Sequence, residues 1–155
     1  GTSPIGATLH GGSTPFNPAL YYRFSDGRMY NGLTVVAYNL ADVGPEDGGL
    51  GCVPGSHKSN YSLPGVWRNM EEGLQPCVRR VTGAAGSAII FTEALSHGAL
   101  PWSGAGERRT VFFKYSPHPL SWAAGYYDDK AYDGLSESQR DILEAPNARY
   151  GKRPR

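Results

Sequence analysis

Residues 33–40 read Leu33-Thr34-Val35-Val36-Ala37-Tyr38-Asn39-Leu40, an apolar and partly β-branched run followed by the turn residues Pro45-Glu46-Asp47-Gly48-Gly49. Branching at Cβ restricts χ1 and suits a pleated surface better than a helix. Near-continuous apolarity over eight residues predicts a strand buried on both faces. Shorter runs of the same kind flank it. Residues 21–24 are an aromatic run ending at Ser25-Asp26-Gly27, a hairpin-type turn. Residues 50–53, 78–81, 87–92 and 110–115 read as further strands, and 7–9 as a brief one. The segment 66–72 holds at most one helical turn. Only the end reads as helix: Ser136 is an N-cap with Gln139 three residues on, then Arg140, Ile142 and Leu143, with Pro146 as the stop.

The chain has 155 residues, enough for one domain, and its 39% hydrophobic and 12% aromatic content can build a core. The 21 Gly and 12 Pro punctuate it every few residues, which excludes a helix bundle and favours short strands joined by tight turns. The pattern predicts a mainly β architecture, a double-sheet jelly roll with a short C-terminal helix. Lys and Arg number 15 against 14 acids. Four of those cations, Arg149, Lys152, Arg153 and Arg155, lie in the last seven residues, so the body is slightly acidic and offers no nucleic-acid footprint. No apolar run reaches the roughly 18 residues of a membrane span, and the start is not a signal peptide, so a cytoplasmic protein is expected. Cys52 and Cys77 lack metal or redox spacing and read as small half-buried hydrophobes. The first residue is Gly1, not Met, and a fragment of a longer protein is expected.

Four histidines could carry chemistry. His118, between two prolines, reads as surface; His57, after Pro-Gly-Ser, reads equally as structural or inward-aimed. His10 and His97 each sit beside glycine, in His10-Gly11-Gly12 and His97-Gly98, where a ligand can approach the backbone closely. Period-two alternation puts Arg108, Thr110 and Phe112 on one face of their strand and Arg109, Val111 and Phe113 on the other. If the first face is interior, Arg108 is a buried guanidinium that needs a carboxylate from the protein or from a ligand.

Pro45-Glu46-Asp47-Gly48-Gly49-Leu50, Pro54-Gly55-Ser56-His57-Lys58, the stretch from Phe91 through His97-Gly98, and Arg108 together resemble the phytanoyl-CoA dioxygenase family. The resemblance covers roughly residues 7–116, and more weakly the tail 135–155. Its most specific parts are the Pro-Gly-Ser-His-Lys element and the eleven residues from His97 to Arg108; the 47 from His10 to His57 also fit. It implies a double-stranded β-helix (a cupin-like jelly roll) spanning 1–155 as one oxygenase domain, with core 7–116 and a C-terminal extension 117–155. It also implies an Fe(II)/2-oxoglutarate-dependent dioxygenase that hydroxylates a small or medium organic molecule with dioxygen. His10 matches the first iron-ligating histidine, His97 the second, Arg108 the arginine that pairs with the distal carboxylate of 2-oxoglutarate, and Tyr38 an aromatic position lining the 2-oxoglutarate pocket. Two imidazoles and a carboxylate on one face of Fe(II) leave room for a bidentate keto acid and dioxygen.

The family motif has an acid two residues after the first histidine, where this chain has Gly12. Three readings stay open. Glu93, four residues before His97 and on the same face of a regular strand, supplies the carboxylate as a metal ligand. Alternatively, halide fills the place, as in halogenating relatives. Or iron chemistry is lost and a binding module remains. A jelly-roll lectin using Trp67, Trp102 and Trp122 would leave the histidines unexplained. Family members carry an N-terminal region whose helices brace the sheet, so a missing segment or an oligomeric partner is expected to cover it.

Overall fold

Asp26 and Gly27 both adopt positive φ, 52° and 73°, the pair of conformations a two-residue type I′ turn requires. They join β1 (Tyr22–Ser25) to β2 (Arg28–Asn31) with Ser25 opposite Arg28. This is a computed structural model, and it describes residues 8–145 except 13, 60, 71–72, 118, 121, 123 and 124. The predicted strand at 7–9 therefore falls partly outside the described residues, as do His118 and the Pro146 stop.

Six further strands form two antiparallel sheets. β3 (Thr34–Asn39) lies between β6 (Ala88–Thr92) and β8 (Thr110–Tyr115). β4 (Gly49–Cys52) lies between β5 (Arg79–Val81) and β7 (His97–Leu100). The chain passes between the sheets after β3, β5, β6 and β7, and a bridge between Val43 and Gly83 ties two of the crossings. β2 and β7 were not legible as strands: β2 is a polar hairpin arm, and β7 is four residues containing Gly98.

β3 corrects the expectation of burial on both faces. Val35, Ala37 and Asn39 are buried, whereas Thr34 and Val36 are half-buried and Tyr38 is exposed. On β6 the alternation continues, with Ile90 exposed and Phe91 half-buried, whereas β8 at the sheet edge is exposed on both faces, Phe112 at 47%. Ile90, Val111, Phe113 and Tyr115 are exposed on the Tyr38 side, so that whole face is apolar yet accessible. The opposite face carries Phe91, Thr110, Phe112 and Lys114 in register with the buried residues of β3.

A core of Leu9, Met70, Val78 and Leu100 packs with Val53, Leu63, Leu74 and Cys77 on the outside of β7. Gly98 makes this possible, since a Cβ there would collide with the Thr8 carbonyl. The segment before His10 thus lies against β7. The chain forms two compact units, Gly1–Tyr115 and Ser116–Arg155. In the second, Ser136 and Gln139 make the capping box predicted for them, at 2.8 and 3.2 Å, and start α1 (Glu137–Leu143). Arg140 reaches back from α1 to Asp129 at 3.0 Å.

Candidate active site

His10 and His97 exchange both backbone hydrogen bonds, His10 N–H to His97 C=O at 2.8 Å and the reverse at 2.9 Å. Directly opposed residues of an antiparallel ladder project to the same face, and the two imidazole centroids are 4.3 Å apart. Gly11 then turns the chain at φ 85°. A Cβ at Gly11 would run into the Leu95 carbonyl and come within 2.8 Å of the Glu93 carbonyl. The glycine beside His10 is therefore explained by close packing of backbone on backbone, and not by approach of a ligand.

Glu93 reaches the site by a route other than the expected one. β6 ends at Thr92, and a tight turn follows, with Leu95 N–H on the Thr92 carbonyl at 2.9 Å. Glu93 N–H still bonds the Leu33 carbonyl at 3.0 Å, which anchors it at the sheet edge. Glu93 and His97 meet across this turn and not along a regular strand. One donor atom each from His10, Glu93 and His97 lies within 4.8 Å of the others. Glu93 is 4% exposed and His97 5%, while His10 is exposed.

The imidazole of His97 has a fixed tautomer. Its Nδ1 lies 2.7 Å from the Leu95 carbonyl, an acceptor only, so Nδ1 carries a proton and Nε2 is the ring nitrogen available to a metal. Nε2 faces Glu93 Oε2 at 3.8 Å. Burial pushes the His97 pKa below its ordinary value, and the charges of His10 and Lys114 act in the same direction; the Leu95 carbonyl and Glu93 oppose them. Phe91 packs against the ring at 4.7 Å.

Two supporting residues were missed in the sequence. Ser56, from the Pro-Gly-Ser-His-Lys element, accepts the Ser96 N–H on its hydroxyl at 2.8 Å, and Val53 N–H bonds the Ser96 carbonyl at 2.9 Å. This element braces the residue before His97. Lys114, on β8, brings its ammonium to 2.5 Å from Glu93 Oε1. The signal for Lys114 was present: alternation continues the row Arg108, Thr110, Phe112 to a lysine in an otherwise apolar strand.

Arg108 is half-buried just ahead of β8, with Nε buried and unpartnered among the described residues, and desolvation lowers its pKa. Arg109 points outward to Glu107 at 2.8 Å, as alternation required. Thr110 Oγ1 and Asn39 Nδ2 are likewise buried without partners, and these two residues face each other across β8 and β3. Three orphan polar groups on one face form a cradle suited to a carboxylate. Arg108 lies against Gly49, three residues along β4 from Cys52, the ladder partner of His97. At about 3.3 Å per residue, that separates the cradle from the histidines by about 10 Å, a span a five-carbon diacid can bridge once side chains reach inward.

Tyr38 is not brought to this site. It lies on the opposite face of β3 from Asn39 and packs edge-on against Phe113 at 6.0 Å. One position along a strand reverses the face, and Asn39 holds the inward place. His57 also lies apart from the donor cluster, against Tyr22 at 4.7 Å. Gly12, at φ 107°, contributes no donor.

A jelly-roll fold with a His/Glu/His cluster and a carboxylate cradle defines a class of metal- and keto-acid-binding proteins. The phytanoyl-CoA dioxygenase family profile matches residues 8–110, and the chain belongs to that family. Solved structures of HygX from Streptomyces hygroscopicus are similar to it. The form with nickel and 2-oxoglutarate bound is 26% identical with a TM-score of 0.65, over 76% of this chain and 52% of that one. The form with iron bound is 27% identical with a TM-score of 0.64, over 76% and 54%. The form with nickel, 2-oxoglutarate and hygromycin B bound is 27% identical with a TM-score of 0.62, over 71% and 49%. The chain thus spans about half the length of these structures. No curated protein sequence matches it. Among the described residues no helix is long and apolar enough to cross a membrane.

Proposed function

We propose that this chain carries the catalytic centre of an Fe(II)/2-oxoglutarate-dependent oxygenase that hydroxylates a small or medium organic molecule. The observation that carries the reading is the convergence of His10, Glu93 and His97 within 4.8 Å, a two-histidine, one-carboxylate set of the kind that binds Fe(II) with open positions. When bound, iron and the keto acid supply oxidation of the substrate by dioxygen with loss of carbon dioxide. His10 and His97 serve as nitrogen donors, His97 through Nε2, and Glu93 supplies the negative charge. Arg108, Thr110 and Asn39 hold the distal carboxylate of 2-oxoglutarate and so orient its keto-acid end toward the metal. Hygromycin B bound to HygX supports a small-molecule substrate for this site as well.

Hydroxylation is favoured over halogenation by Glu93. A halogenase needs the carboxylate position empty for halide, and here a buried carboxylate stands within reach of both histidines.

An anaerobic titration of the apoprotein with Fe(II) and then 2-oxoglutarate, with and without chloride, tests this. The expected result is a visible metal-to-ligand charge-transfer band that is indifferent to chloride. Glu93→Gln should weaken Fe(II) binding by more than the roughly 10–100-fold that loss of an outer-shell partner costs. No band from folded protein would overturn the oxygenase reading, and a chloride-dependent band would transfer it to halogenation.

A further inference from the structure

The ammonium of Lys114 beside Glu93 has no part in the scheme above. Glu93 offers two oxygens: Oε2 faces His97 Nε2 at 3.8 Å, and Oε1 faces Lys114 Nζ at 2.5 Å. The carboxylate is buried, whereas Lys114 is 43% exposed along its side chain and enters from β8, the strand that also brings Thr110 and Arg108. A buried carboxylate free to rotate can chelate a metal through both oxygens. A six-coordinate ion held by two histidines and a chelating carboxylate keeps two open positions, which the keto acid would fill, leaving none for dioxygen. With a one-oxygen carboxylate three remain.

We propose, on the reading of the metal site given above, that Lys114 is a positioning residue: by occupying Oε1 it keeps Glu93 a one-oxygen ligand and preserves the third open position. Two features of the geometry favour this role over a purely structural ion pair. The ammonium and the His97 ring sit against different oxygens of one carboxylate. In addition, no other cation is paired with Glu93 among the described residues, so removal of Lys114 leaves Oε1 free for the metal.

The test uses Co(II), whose visible spectrum reports coordination number, and 2-oxoglutarate titrated calorimetrically into Co(II)-loaded protein under nitrogen. Lys114→Met should bind Co(II) at least as tightly as the wild type, since a cation near the metal is gone and a second oxygen is gained. With 2-oxoglutarate bound, the wild type should show the stronger visible absorption of five-coordinate Co(II) and Lys114→Met the weaker absorption of six-coordinate Co(II), with 2-oxoglutarate affinity little changed because its two positions stay open. Lys114→Arg should restore the five-coordinate spectrum. A five-coordinate spectrum for the 2-oxoglutarate complex of Lys114→Met would overturn the proposal, and so would parallel loss of Co(II) and 2-oxoglutarate binding, the mark of a structural role. Should the Met variant not fold, Lys114→Gln carries the same comparison, with a partial fall in absorption of the 2-oxoglutarate complex expected and no fall overturning it. Wild-type protein that binds no Co(II), or binds it equally after His10→Ala, would overturn the metal site itself and this inference with it.

Discussion

A guanidinium whose Nε is buried and, among the described residues, unpaired, beside a hydroxyl and an amide in the same state, is a cost the fold bears unless a ligand offsets it. Arg108→Ala should therefore weaken 2-oxoglutarate binding by about 2–3 kcal/mol, less than the 3–5 kcal/mol of a fully buried pair because Arg108 is only half-buried. Calorimetry on metal-loaded protein measures it, and unchanged affinity would remove Arg108 from the cradle. Removing the unpaired cation should leave the apoprotein no less stable. His10, His97 and Arg108 were legible through the family resemblance that their motifs carry, and Glu93 through its four-residue separation from His97, although a turn and not a strand brings those two together. Tyr38 was misplaced because the phase of a strand, inward or outward, is not fixed by an apolar run of eight. Lys114 was overlooked because a lysine within a strand reads as a solvated edge until its carboxylate partner, 21 residues away in the chain, is known.

Among the elements, the ladder pair His10–His97 depends on what holds its short strands. Leu9 is 1% exposed and anchors the first histidine to the core on the back of β7, where it meets Leu100, Met70 and Val78. Leu9→Ala should cost about 2–5 kcal/mol of stability. It should also loosen the backbone bridge at His10, so Fe(II) affinity should fall in protein that remains folded. Thermal unfolding and anaerobic metal titration separate the two effects, and a stability loss with unchanged Fe(II) affinity would show that the bridge holds without its anchor. The strand at 110–115 and the α1 cap were readable from local pattern alone. β7 was not, because it forms where non-local pairing with β4 and residue 10 compensates for a glycine and a four-residue length.

At the scale of the molecule, pH should act through histidine. Burial lowers the pKa of His97, and burial with Lys58 lowers that of His57, each from an ordinary 6.5. Below that value the unfolded chain takes up protons that the folded chain resists, so the unfolded state binds more protons and folding stability falls as pH drops. The metal-free protein should lose thermal stability progressively below about pH 6.5 and be insensitive to pH just above it. Melting curves from about pH 7.5 to about pH 5.5 check this, and a flat profile would mean that the buried rings titrate as they do in the unfolded chain.

The three donors do not meet water equally. Glu93 and His97 are sealed in, one behind the sheet edge and the other under Phe91, and only His10 opens to solvent. An ion seated among them therefore has one wet doorpost. On the proposed reading, release of such an ion would begin where the His10 imidazole swings aside, and a chelator in the medium would approach from that side.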